Sequence, residues 1–256
     1  MCTLAIYVRS FPEFPAIVAA NRDEFFSRPT SPPLVLDHER GIFGGRDDVA
    51  GGTWLAVNRR GVVAALLNRR TDEPADPKRE SRGQLCLAML RQPSAEAARV
   101  AITEQAPQRY NPFNLLVADS RHAWIATNHG AAMTVVDLDR GLHLITNLDL
   151  NDPTCPRIAS SYQLFAALLR SDAPKPPTVE FRDRLRAILS AHDTQLDPRR
   201  PGFGNSLCVH SEEYGTRSSS LIFLDGSRRW SYFHANQPPC RGHYAPQPVM
   251  ECSSSP

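Results

Sequence analysis

Apolar runs of strand length follow one another across turns of only a few residues, and the succession is interrupted twice, each time by a pair of helical segments. CTLAIYV (2–8) and AIVAANRDE (16–24) come first, joined by the proline-rich SFPEFP, which predicts a hairpin with a long connection. GGTWLAVNRRGVVAALLNRR supplies two more strands around Asn58-Arg59-Arg60-Gly61, with Gly61 free to take a positive φ in the turn. After an exposed loop, TDEPADPKRE, residues 81–92 and 94–105 read as helices, the second with Ser94 as its N-cap. Strands resume at 114–119, 123–128, 133–139 and 143–147, helices at about 156–171 and 178–192, and strands again at 206–211, 218–225 and 229–235. Short turns between consecutive strands demand largely antiparallel sheets. Helices that come in pairs, rather than one after each strand, argue against a doubly wound parallel sheet. The order therefore predicts an α+β fold of two stacked antiparallel sheets with a helical layer outside each. One domain is expected over residues 1–236, followed by a loosely held, proline-containing tail over 237–256.

A chain of 256 residues that is 41% hydrophobic is long enough to bury a large core. Its formal net charge of +2 gives no strong drive toward nucleic acid or an anionic membrane surface. Arginine pairs at 59–60, 69–70, 199–200 and 228–229 are scattered and read as solvated turns rather than a nucleic-acid patch. No apolar run reaches the roughly 18–20 residues needed to span a bilayer, and no signal-type segment opens the chain, so a cytoplasmic location is expected. The six cysteines (Cys2, Cys86, Cys155, Cys208, Cys240, Cys252) show no zinc-ligand or haem-attachment spacing. Free thiols and no metal site are expected. The histidines in or near strands (His122, His129, His143, His210) could ligate a metal or haem iron, but no spacing singles any of them out.

Chemistry concentrates at the amino terminus. Cys2 follows the initiator methionine directly and leads into the first strand. It is either an incidental small residue or, once Met1 is removed, a nucleophile. A free thiol has a pKa near 8.5 and is mostly protonated at neutral pH. An α-amine on the same residue, with a pKa of about 7.7–8.0, can accept that proton and later return it to a leaving group. The Asn21-Arg22-Asp23-Glu24 run ends the strand that pairs beside the first. In regular β geometry Asn21 and Asp23 share one face and Arg22 and Glu24 the other. Asp23 could hold the amine, and Arg22 could lower the thiol pKa; a surface ion-pair cluster is the competing reading.

The start MC, NRDEFFSRPT, GGTWLAVNRRGVVAALLNRR, the FNLLVAD strand, LITN and YGTRSSSLIFLD together resemble the NRDE family, also called the Transport and Golgi organization 2 family. That family is similar to N-terminal-nucleophile hydrolases of the choloylglycine hydrolase and penicillin V acylase branch. The resemblance implies a four-layer αββα sandwich with largely antiparallel sheets. It implies Cys2 as nucleophile, Arg22 and Asp23 as the arginine–aspartate pair beside it, Asn68 and Asn147 as oxyanion or positioning groups, and Arg217 as a late arginine of the site. Read from the residues alone, Asn68 and Asn147 are also ordinary strand-end turn residues, and Arg217 a packing or ion-pairing residue. The implied activity is an N-terminal-cysteine hydrolase or acyltransferase acting on an amide or thioester, with a small-molecule substrate and no required cofactor. The alternative implied by the family is haem, acyl-coenzyme A or lipid binding and intracellular trafficking on the same fold without turnover. GRDDVAGGTW carries no phosphate-loop pattern; the resemblance makes it a loop shaping a pocket, with Trp54 a core anchor.

Overall fold

The computed structural model describes residues 2–192 and 206–248. Among these, thirteen strands form two antiparallel sheets accompanied by four α-helices. The chain divides into two compact units. Unit 1 comprises Met1–Arg28, Arg140–Phe223 and Tyr232–Gln247; unit 2 comprises Pro29–Asp139, Leu224–Ser231 and Pro248–Pro256. No helix among the described residues is long and apolar enough to cross a membrane.

Unit 1 is built on a six-stranded sheet. Its strands are β1 (Thr3–Phe11), β2 (Phe14–Phe25), β10 (Gly141–Ile145), β11 (Tyr214–Leu224), β12 (Trp230–Ala235) and β13 (Ala245–Gln247), in the order β10-β1-β2-β11-β12-β13. Helices α3 (Pro156–Ala166) and α4 (Val179–Leu189) pack on one face. There Ile158, Phe165, Phe181, Leu185 and Leu189 meet Ala5, Tyr7, Ile17, Ala19, Leu144, Leu221 and Phe223. β1 is buried along both faces, which is why it reads as one continuous apolar run instead of an alternating one. Pro156 opens α3 at a position where its missing N–H costs nothing, and Thr178 caps α4 by accepting from Phe181 N.

The first hairpin corrects the expected long connection. β1 and β2 are joined across Pro12 and Glu13 alone, with Phe11 opposite Phe14 and an irregular register between Val8 and Phe11. Pro12 presets the turn. The phenylalanines that looked like loop residues are core: Phe11 meets Tyr7 and Phe181 edge-on, and Phe14 meets Phe223 likewise. The expected strand at 206–211 is absent apart from one isolated bridge between His210 and Gly215. Its backbone groups are engaged elsewhere: Cys208 N donates to Ala191 O and Val209 N to the Thr216 hydroxyl. Of the tail, Ala245–Gln247 pair with β12 as β13, and Tyr244 donates to Ser219 Oγ at 2.6 Å. Residues 249–256 lie outside the described residues.

Unit 2 is a seven-stranded sheet in simple chain order: β3 (Thr30–Asp37), β4 (Ile42–Asp47), β5 (Leu55–Val57), β6 (Val63–Asn68), β7 (Phe113–Ala118), β8 (Ala123–Asn128) and β9 (Met133–Asp137). Helices α1 (Arg82–Leu90) and α2 (Ala95–Thr103) cover a face through Leu85, Met89, Leu90, Ala98 and Ile102, packed with Val62, Ala64, Leu115, Val117 and Trp124. Ser81 and Ser94 cap them by accepting from Gln84 N and Ala97 N. Gly61 sits at φ 86° in the β5–β6 turn as expected. β3 and β4 were not expected as strands. β3 carries Pro32 and Pro33, which the edge position of the strand accommodates with a register shift. β4 carries Gly44 and Gly45, which resembled a loop. A Cβ on Gly44 would stand 2.3 Å from the Ala56 Cβ, and one on Gly45 2.2 Å from the Trp54 ring. These glycines mark close packing of a strand, not a flexible turn.

Candidate active site

The strand order of unit 1 assembles one end of its sheet from distant parts of the chain. β1 runs antiparallel to β2 with Thr3 opposite Asn21, and to β10 with Leu4 opposite Ile145. Continued past the ends of the ladders, these registers set Cys2 across from Arg22 on one side and Asn147 on the other. The start of β11 completes that end with Thr216.

Asp23 is the electrostatic centre. Its side chain is fully buried, and its two oxygens are held by different elements: Arg157 Nη1 of α3 donates to Oδ2 at 3.1 Å, and the Thr216 hydroxyl donates to Oδ1 at 2.6 Å. Arg157, itself 4% exposed in its side chain, also donates to Thr3 Oγ1 at 3.3 Å, at the residue next to Cys2. Thr216 accepts in turn from Val209 N at 2.9 Å. Held from two sides in this way, the carboxylate fixes charge and position at the head of the sheet. The Cys2 thiol points to the Asp23 backbone carbonyl at 3.8 Å. Cys2 is only part-buried as a residue, yet its thiol is enclosed, and burial raises its pKa above the ordinary value. The positive charge of the chain's amino terminus opposes that rise most, with smaller opposition from a backbone contact at Asp23 and the charge of Arg22, while the Asp23 charge adds to it.

The neighbouring polar residues are likewise buried. Arg22, 6% exposed, lies 3.4 Å from Glu24 Oε2. Asn21 spans two carbonyls with its amide, Leu189 O at 2.9 Å and Leu207 O at 2.8 Å, which ties β2 to the end of α4 and to the loop before β11. Asn147 is 6% exposed just past β10, and its Oδ1 is buried with no hydrogen-bond partner among the described residues.

The expected site residues thus separate. Cys2, Arg22, Asp23 and, by register, Asn147 lie at the same end of the sheet. Arg217 belongs to the same unit, but its guanidinium donates to the carbonyls of Phe25, Phe26 and Arg28 and fastens the turn after β2. On β11 it is Thr216, one residue earlier and on the opposite face, that reaches Asp23. Asn68 ends β6 of unit 2, exposed, opposite Phe113; the cluster described here is built from unit 1 alone. Arg157, Thr216 and Thr3 were not anticipated. For Thr216 a signal existed: TRSSS is a hydroxyl-rich run inside an apolar strand, and Thr216, Ser218, Ser219 and Ser220 are all buried. Arg157 offered only a basic residue in the first turn of a helix. Two cavities, about 560 Å³ between α3 and α4 beside Leu168 and Ile188 and about 670 Å³ beside Arg69 and Arg79, have no Cys2 in their walls.

A six- and a seven-stranded antiparallel sheet, each with a helical pair, and a cysteine at the head of β1 define a protein with the N-terminal-nucleophile hydrolase fold. The structure matches penicillin V acylase from Agrobacterium tumefaciens with a TM-score of 0.61, at 14% identity, over 99% of this chain and 88% of the other. It matches the C2A mutant of conjugated bile acid hydrolase from Clostridium perfringens with a TM-score of 0.59, at 11% identity, over 98% of both chains. By sequence, the chain belongs to the Transport and Golgi organisation 2 family, whose profile spans residues 1–236. It is 29% identical over 229 residues to the Homo sapiens Transport and Golgi organization protein 2 homolog, covering 82% of each chain. It is 25% identical over 257 residues to the Drosophila melanogaster Transport and Golgi organization protein 2, covering 91% of this chain and 90% of that one.

Proposed function

We propose that this protein is an N-terminal-cysteine hydrolase or acyltransferase that cleaves an amide or thioester bond. The observation that carries the reading is the placement of Cys2: it heads a buried strand, with its thiol against the backbone carbonyl of Asp23, a residue whose side chain Arg157 and Thr216 hold. The names of the structural neighbours, an acylase, a bile acid hydrolase and an N-acylethanolamine-hydrolyzing acid amidase from Caenorhabditis elegans, support an amide as substrate.

The mechanism follows from the raised thiol. A buried neutral thiol needs a base within reach. Removal of Met1 leaves the α-amine of Cys2 itself in that place. The amine takes the thiol proton as sulfur attacks the substrate carbonyl carbon, giving a tetrahedral oxyanion and an ammonium group. The intermediate collapses, the C–N or C–S bond breaks, and the ammonium returns its proton to the leaving amine or thiol. The thioester left on Cys2 is then attacked by water or a second amine, with the α-amine again carrying the proton, and the thiol is regenerated. Asn147, set across from Cys2, is a candidate oxyanion donor through its amide N–H, an interaction worth about 2.7–4 kcal/mol of barrier in such sites. Arg22 lowers the cost of the developing thiolate.

The test is intact mass of the natively expressed protein before and after treatment with an activated acyl ester. Loss of Met1 and one acyl adduct on the wild type, with none on Cys2→Ala, is the expected result. Retained Met1, or an adduct that persists in Cys2→Ala, overturns it.

A further inference from the structure

We propose that His192, Cys208, His210 and Cys240 form a binding site for one zinc-type divalent metal ion, separate from the Cys2 cluster. Their ligand atoms all lie within 4.8 Å of one another. Cys208 Sγ is 3.7 Å from Cys240 Sγ and 3.5 Å from His210 Nε2, and Cys240 Sγ is 3.3 Å from His210 Nε2. In a tetrahedral site with metal–sulfur bonds of about 2.3 Å and metal–nitrogen bonds of about 2.0–2.1 Å, neighbouring ligand atoms stand roughly 3.3–3.8 Å apart. Three edges of the tetrahedron are therefore already at their bonded lengths.

The fourth corner has the support that metal-bound imidazoles use. His192 Nδ1 is 3.1 Å from the Cys208 carbonyl. Donation there fixes the tautomer and leaves Nε2 as the ligating atom. The ring stands 5.1 Å from that of His210. A cation shared by two sulfurs and two imidazole nitrogens fits the convergence of all four groups. Thiolate sulfur with imidazole nitrogen in a closed set of four selects zinc among the common divalent ions and disfavours calcium and magnesium, which take oxygen. A disulfide is the competing use of the two cysteines, but a sulfur–sulfur separation of 3.7 Å is far beyond the bonded value of about 2.05 Å, and both are free.

The ligands reach the site from three places: the end of α4, the loop before β11 and the segment leading to β13. The loop is the one whose Leu207 carbonyl accepts from Asn21 and whose Val209 N–H donates to Thr216. The ion would staple that loop to the helix and to the carboxy-terminal segment. Sequence spacing hid the set, because only Cys208 and His210 are neighbours in the chain.

The experiment uses the full chain, untagged and purified without chelator, with zinc content measured by inductively coupled plasma mass spectrometry after dialysis. Near one equivalent is expected in the wild type and in Cys2→Ala, falling to background in Cys240→Ser and His210→Ala. Cobalt(II) in place of zinc should give the thiolate charge-transfer absorption of a sulfur-ligated ion. Chelation should expose two further thiols to a disulfide reagent in the wild type, a readout that stands even if the variants fail to fold. A wild type that retains no metal after incubation with zinc, unchanged metal in folded Cys240→Ser, loss of the metal in Cys2→Ala, or a Cys208–Cys240 disulfide in freshly prepared protein would each overturn the proposal.

Discussion

Asp23 and Arg157 form an ion pair with almost no access to water, and that determines what a substitution at either does. Removing one partner of a buried pair leaves the other charge uncompensated, which typically costs about 3–5 kcal/mol. Arg157→Met is expected to lower unfolding stability by roughly that amount, measured by urea denaturation, whereas Arg217→Met, which removes exposed contacts to carbonyls, should cost much less. At Cys2 the raised thiol fixes the sign of the pH dependence. On the proposed mechanism, proton transfer requires the α-amine unprotonated, so acylation of the mature chain should slow about tenfold per pH unit below the ordinary α-amine range of about 7.7–8.0. A flat rate down to pH values near 6 would instead show a thiolate already formed. Of the candidate site, the part that lies within one strand, Arg22 and Asp23, is visible in the chain because a charged run ending an apolar strand is a local signal. Its partners are not: Arg157 and Thr216 are 134 and 193 residues away from Asp23, and only the completed sheet order brings them together.

Among the elements, helices announced themselves most clearly, because their caps are local. Ser94 accepts from Ala97 N, and Ser94→Ala should cost about 1 kcal/mol, seen as a shift in denaturation midpoint without change in slope. The strands were legible where apolar residues run unbroken and illegible where prolines or glycines intervene. β3 and β4 are the cases in point, since Pro32 and Pro33 fit an edge and Gly44 is required by the approach of β5. Gly44→Ala puts a methyl group 2.3 Å from the Ala56 Cβ, so overpacking of about 1–3 kcal/mol is expected, checked by the same denaturation measurement. The 206–211 segment failed as a strand for the converse reason. Its residues are apolar enough to pair, but side-chain hydroxyl, amide and helix-end groups take its backbone positions first.

At the scale of the whole molecule, the antiparallel α+β class followed from nothing more than the order of apolar runs and the length of the turns, which is why it survived errors in individual strands. Global stability carries a signature of its own from a residue outside the candidate site. His234 of β12 is 5% exposed, its Nδ1 2.9 Å from Ser220 Oγ and its Nε2 without a partner among the described residues. Burial pushes its pKa down to about 4. As the pH falls below about 6.5 the unfolded chain takes up a proton at this residue, while the folded chain refuses it until about pH 4, so the unfolded state binds more protons throughout that window. Stability is therefore full above about pH 6.5 and declines as the pH falls toward 4, by ~3 kcal/mol from this one group. His234→Gln keeps a polar partner for Ser220 and does not titrate. Its unfolding free energy should drop less than that of the wild type between neutral pH and about pH 4.5, by ~2–3 kcal/mol. Parallel pH profiles for the two proteins would mean that His234 accepts its proton in the folded state after all.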